Sequence, residues 1–207
     1  MTPELILSVR SRLADRQPNR SMLERFAPSH ARQQRFDAAP ADARIASVIV
    51  LLYPDRDEWM FPLALRPSHM KHHQGQVALP GGACDPGESL EETARRELHE
   101  ELGVTEGVEL LGPLTPFFVP ASRFVVHPWV GWSRQRPLFQ PNVNEVEELL
   151  EARLQPILNF SNLAVEWREL AGQRVEVPYF AVGQHKVWGA TCIVLGELAT
   201  ICAGLSA

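Results

Sequence analysis

Glu97, Glu100 and Glu101 stand at i, i+3 and i+4 in a segment, Gly82 to Val104, that reads GACDPGESLEETARRELHEELGV. On a helix this spacing turns all three carboxylates toward one face. Converging carboxylates repel one another unless a cation sits among them, and hard divalent ions such as Mg²⁺ take oxygen ligands of this kind. The segment therefore reads as a metal site. Just upstream, Pro80, Gly81 and Gly82 form a turn whose backbone can approach a phosphate or offer a carbonyl to the metal.

The helix that must carry these groups is well specified. Ser89 with Glu92 three residues later is a capping box, which starts the helix just after Gly87 and Glu88. Leu90, Ala94, Leu98 and Leu102 form an apolar stripe able to pack on a sheet. Arg96 lies four residues before Glu100, close enough to hold that carboxylate, and Gly103 sits where a C-terminal stop is expected.

The arrangement resembles the Nudix box: Gly, five residues, Glu, seven residues, then Arg-Glu-aliphatic-x-Glu-Glu-x-Gly-aliphatic. Gly82, Glu88, Arg96, Glu97, Leu98, Glu100, Glu101, Gly103 and Val104 meet every fixed position. At ordinary residue frequencies a chance match is on the order of 10⁻⁹ or below per start position. The resemblance implies an α/β/α sandwich around a central mixed sheet. It also implies hydrolysis of a nucleoside diphosphate linked to another moiety, with Mg²⁺ or Mn²⁺ as cofactor. A binding module of the same fold without activity typically lacks one or more box carboxylates, whereas this chain has them all.

Composition is consistent with such an enzyme. The 207 residues are 45% hydrophobic and 22% charged, ordinary for a globular protein with a full core. The net charge of −5 argues against a nucleic-acid or membrane-surface binder. The charge is uneven: residues 1–44 carry eight Arg against five acids, a net of +3, so the remainder carries −8. Cys84, Cys192 and Cys202 have no metal-ligand spacing and suggest no disulfide framework. No signal pattern and no stretch of about 18 apolar residues occurs, so a cytoplasmic protein is expected. The oligomeric state is left open.

Two regions are expected, an N-terminal helix and irregular arm over residues 1–43, packed on the domain surface, and the hydrolase domain over 44–207. The helix starts at Thr2 to Glu4, with Leu5, Ile6, Val9 and Leu13 on its apolar face, and a short helix is expected from Met22 to Phe26. Strands are expected at Ile45 to Tyr53, Trp59 to Arg66, Gln76 to Leu79, Val108 to Val119, Phe124 to Trp132 and Arg174 to Val182, with Pro178 marking an edge or a break. Val146 to Leu154 reads as strand or short helix. Gly189 to Gly204 reads as a largely apolar closing helix.

The substrate must be read outside the box. Arg66, Lys71, His72 and His73 place cationic or hydrogen-bonding groups just before the glycine turn, as a diphosphate with a further phosphate would need. The stretch from Pro62 to Gly82 resembles the second motif of the coenzyme A pyrophosphatase branch of the Nudix family. That motif reads Leu-Leu-Thr-x-Arg-Ser, three residues, Arg, three residues, Gly, three residues, Phe-Pro-Gly-Gly. Arg66, Gly75, Pro80, Gly81 and Gly82 match without gaps. Pro62-Leu63-Ala64 replaces the opening, Pro67 replaces Ser, Lys71 replaces Arg and Leu79 replaces Phe. Lys keeps the charge but not the planar fork. Trp188-Gly189-Ala190-Thr191 and Asn144-Glu145-Val146 resemble the branch's later motifs. The resemblance implies coenzyme A or a derivative as substrate, bound by Arg66, Lys71, His73, Gly75 and Gly81. Its products would be 4′-phosphopantetheine and adenosine 3′,5′-bisphosphate. ADP-ribose, a dinucleotide or a nucleotide sugar is the alternative. Metal ligands are expected from Glu97, Glu100, Glu101 and the Gly82 carbonyl. Arg96 is expected to orient the carboxylates and Glu88 to stand behind them. The general base is left between Glu100 and the downstream acids Glu145, Glu147 and Glu148.

Overall fold

The centre of the molecule is β1 (Arg44–Asp55), whose residues Ile49 to Tyr53 have no solvent exposure. A strand this apolar must be covered on both faces, and its two alternating sets go to different layers. Ile49, Leu51 and Tyr53 pack with Ala94, Leu98 and Leu102 of α3 (Leu90–Leu102). Val50 and Leu52 join the larger core formed by α1 (Glu4–Asp15) and α5 (Ala190–Ile201) on the other side. The result is a helix–sheet–helix sandwich, the expected α/β class. The computed structural model describes residues 3–16, 20–31, 39–68, 75–170 and 172–207.

The main sheet is mixed. β1 runs parallel to β7 (Phe124–Ser133) from Arg44 to Leu52, and antiparallel to β4 (Gly81–Ala83) along Ala46 to Val48. Its far end, Tyr53 to Asp55, turns into β2 (Glu58–Leu65). Around these four, β3 (Val77–Ala78) and β8 (Glu148–Arg153) pair with β2, while β5 (Val108–Pro113) and β6 (Phe117–Val119) pair with β7. A second sheet of β9 (Leu163–Leu170), β10 (Gln173–Val182) and β11 (His185–Trp188) has β10 in the middle. Two short helices, α2 (Arg20–Leu23) and α4 (Gln155–Leu158), complete the order. Among the described residues no helix is long and apolar enough to cross a membrane.

Several sequence expectations need correction. Val108 to Val119 is two strands, because Pro113 and Pro116 flank a break at which Thr115 donates its N–H (2.9 Å) and hydroxyl (2.6 Å) to the buried Glu197 of α5. Val146 to Leu154 resolves to the strand β8. Pro178 ends nothing: β10 runs through it, and it falls one residue outside the β10–β11 ladder, which starts at Tyr179 with Trp188. The N-terminal segment does more than lie over the surface. Leu23, Phe26 and Ala27 are fully buried in the main core, and Phe26 stacks with Phe180 and Phe160. These buried side chains come from a helical turn and a 3₁₀ turn (Glu24–Phe26) with no sustained periodicity.

Candidate active site

α3 begins and ends where its sequence dictates. Ser89 Oγ accepts the Glu92 N–H at 3.2 Å while the Ser89 N–H donates to the Glu92 carboxylate at 2.8 Å. At the other end Gly103 takes the left-handed conformation (φ 73°) and its N–H closes on the His99 carbonyl at 2.7 Å. Ala94, Leu98 and Leu102 anchor the helix on β1, and this fixes the rotation of the acidic side. That rotation buries Glu97 (9% exposed) and Glu101 (2%).

The expected convergence of three carboxylates holds for two of them. The Glu100 side chain faces solvent (48% exposed), because i+3 on this helix lies at the rim of the buried face. Among the described residues no three carboxylate, imidazole or thiol side chains stand close enough to grip one ion as they lie. Arg96 links the group instead. Its Nη1 donates to Glu97 at 2.8 Å and to Glu100 at 2.9 Å, and its Nε and Nη2 fork onto Glu88 at 2.9 and 3.1 Å. Its Nη2 also reaches the Ala83 carbonyl at 2.9 Å. Glu88 takes further bonds from the Thr93 hydroxyl (2.8 Å) and the Asp85 N–H (3.1 Å). The guanidinium holds Glu88 well below the usual carboxylate range, to about 2, and the carboxylates push the Arg96 pKa up.

Glu97 lies across Gly82. A Cβ at Gly82 would overlap the Glu97 carboxylate, so the glycine is the gap into which that group fits. One turn on, Glu101 accepts the Gly81 N–H at 3.2 Å and Arg66 Nη1 at 3.4 Å. Burial outweighs these contacts and, with the charges of Glu97 and Glu145 nearby, pushes the Glu101 carboxyl up to about 8. Burial also raises Glu97, against the pull of Arg96. Two buried carboxylates, both raised by burial and set against a glycine backbone, form an oxygen donor set of the kind a hard divalent cation takes.

The loop from 137 to 147 brings in the downstream acid. Gln140 N–H bonds the Leu102 carbonyl (2.8 Å) and Asn142 N–H bonds the Glu101 carbonyl (2.9 Å), which ties the loop to the last turn of α3. Asn142 Nδ2 then donates to Glu145 at 3.2 Å, and the Glu145 charge contributes to raising both Glu97 and Glu101. Glu147 instead accepts from the Ser68 N–H at 3.3 Å, and Glu148 lies 3.4 Å from His185. Asn142 was not singled out from sequence. Its mark there is an Asx turn, in which its Oδ1 accepts the Asn144 N–H at 3.1 Å, inside a loop that reads as Pro-Asn-Val-Asn.

Of the residues expected to bind substrate, Arg66, Gly75 and Gly81 are placed. Arg66 and Gly75 close the mouth of one loop through Gly75 N–H to the Arg66 carbonyl and Arg66 N–H to the Gln76 carbonyl, both 3.0 Å. Among the described residues the buried Arg66 Nε has no hydrogen-bond partner, a donor left over next to Glu101. Lys71, His72 and His73 lie outside the described residues.

Comparison with known proteins bears on the family and the fold. The family profile described as NUDIX domain matches residues 43–171. A Pectobacterium atrosepticum protein described as an uncharacterised Nudix hydrolase, NudL, is 37% identical over 142 residues, covering 66% of this chain and 72% of its own. The human mitochondrial coenzyme A diphosphatase NUDT8 is 34% identical over 165 residues, covering 77% of this chain and 69% of its own. The crystal structure of a NUDIX hydrolase from Alicyclobacillus acidocaldarius shares the fold, with a TM-score of 0.53 at 18% identity over 80% of this chain and 95% of that one.

Proposed function

The chain belongs to the NUDIX family and is a Nudix hydrolase, and on that premise we propose that it cleaves the diphosphate of coenzyme A or its acyl derivatives. The observation that carries this reading is the contact of Arg66 with Glu101 beside the glycines of β4, which sets a phosphate-binding cation against a buried carboxylate. The register from Arg66 through Gly75 to Gly82 and the identity with a human coenzyme A diphosphatase support the substrate.

Nudix hydrolases generally use divalent metal ions. Here Glu97, Glu101 and the Gly82 carbonyl would hold Mg²⁺ or Mn²⁺, which neutralises charge on the diphosphate and lowers the pKa of water. Arg96 fixes the rotamer of Glu97 through Nη1 and is itself pinned by Glu88. The spare Nε of Arg66 offers a donor to a phosphate oxygen. Water attacks one phosphorus, the anhydride oxygen leaves with the bonding electron pair, and the water proton passes to a carboxylate. We assign that base to Glu145, positioned by Asn142, because Glu100 faces solvent and is tied to Arg96. The products are 4′-phosphopantetheine, or its acyl form, and adenosine 3′,5′-bisphosphate.

The test is a side-by-side assay of coenzyme A, dephospho-coenzyme A, ADP-ribose, a dinucleoside polyphosphate and a nucleotide sugar, with products from ¹⁸O-water identified by mass. Coenzyme A is expected to have the highest kcat/KM, exceeding dephospho-coenzyme A by on the order of tenfold or more through the lost phosphate contacts. Preference for ADP-ribose or a nucleotide sugar would overturn the assignment.

A further inference from the structure

The second sheet ends in an open edge. β9 pairs with β10 from Leu163 to Leu170 without a register shift, and its other side pairs with nothing among the described residues. Protein sheets blunt such edges with short strands, Pro, bulges or a covering segment. β9 has eight residues and contains neither Pro nor Gly. Two apolar side chains on one of its faces are unusually bare: Val165 is 58% exposed and Trp167 57%. The other face carries Glu166 and Arg168, which bond each other, with Lys186 of β11 also on Glu166.

We propose that this edge pairs with the same edge of a second copy of the chain, joining two three-stranded sheets into one of six strands. The sequence of the edge selects the register. A two-fold axis normal to a sheet must place some residue opposite its own copy. Centred on Glu166 or on Arg168, the pairing sets like charges directly opposite each other, which destabilises a strand pair. Centred on Trp167, it sets Glu166 opposite the second copy's Arg168, and Arg168 opposite the second copy's Glu166. The triplet Glu166-Trp167-Arg168 is thus complementary to itself in this one of the three registers. The same register brings the two exposed Trp167 rings face to face as a cross-strand aromatic pair. Arg174 already lies 5.0 Å over the Trp167 ring and Arg168 lies 4.5 Å over Trp188, so each arginine is set against an aromatic ring before association. The charges on β9 therefore carry specificity for a second copy in addition to discouraging other strands.

A pairing of two strands is at the small end of specific interfaces, so association is expected at micromolar concentrations. The experiment is sedimentation of the full chain between about 1 and about 300 μM. It compares the wild type, Arg168→Glu, Glu166→Arg and an equal mixture of the two variants, with circular dichroism of each as the check on folding. Wild type is expected to move toward twice the monomer mass as concentration rises. Each variant alone, with like charges now opposed, should stay monomeric. The mixture should regain the doubled mass, because the Arg168→Glu chain presents two acids on this edge and the Glu166→Arg chain presents two bases opposite them. A wild type that remains monomeric over the whole range overturns the proposal. So does a dimer that both variants retain, or a folded mixture that stays monomeric.

Discussion

Glu101 is nearly cut off from water, and its titration has a direct consequence for stability. Its carboxyl is raised from 4.5 to about 8 by burial, reinforced by Glu97 and Glu145. A carboxyl with a raised folded-state pKa favours folding most when both states are protonated. That contribution is present in full below about pH 4.5 and is lost as pH rises through 8. Glu97 shifts the same way, whereas Glu88, lowered to about 2 by Arg96, acts only in the acid range below its free value. Thermal unfolding in the presence of a chelator should therefore show a Tm that falls between about pH 5 and pH 8, and Glu101→Gln should flatten the fall. An unchanged slope in that variant would place the effect elsewhere. At this scale the sequence was informative about types and spacing but not about exposure. The i, i+3, i+4 pattern puts Glu97, Glu100 and Glu101 near one another. Which of them turns inward depends on how Ala94, Leu98 and Leu102 seat the helix on β1, and that seating leaves Glu100 outside.

The helix α3 is the element on which the site depends, and its start is set by the reciprocal bonds of Ser89 and Glu92. Removing the hydroxyl with Ser89→Ala should cost about 1 kcal/mol and lower Tm by ~2–4 °C in a chain of this size. Because Glu97 and Glu101 lie two turns or more from the cap, kcat should be preserved. A loss of activity without a loss of Tm would contradict that separation. Elements with strong local signals were legible: the capping box, Gly103, and the apolar runs of β1 and β7. Elements defined by distant partners were not. β9 was not read at all, since Glu166, Arg168 and Glu169 interrupt its apolar residues and its pairing depends on β10. The break between β5 and β6 is fixed by Glu197, a residue of α5 more than eighty positions away.

Across the whole molecule, one mixed sheet holds α3 on one face and α1 with α5 on the other, and the acidic site forms where α3, β4 and the 137–147 loop meet. The resemblance of Gly82 to Val104 to the Nudix box made the sandwich readable from sequence, and the continuous apolar run of β1 fits a strand covered on both faces. The inward packing of Leu23 and Phe26 was not readable, because isolated buried residues in a short turn leave no period. The central claim is that Glu97 and Glu101 together hold a divalent cation beside the glycines of β4. The most direct measurement is calorimetric titration of Mn²⁺ into the wild type and Glu101→Gln near pH 7, in two buffers of different ionisation enthalpy. The wild type should bind Mn²⁺ and release a proton, because Glu101 must give one up. The variant should bind more weakly, on the order of tenfold or more, without that proton release. Equal affinity in a folded variant, or binding with no proton exchange in the wild type, would contradict the account.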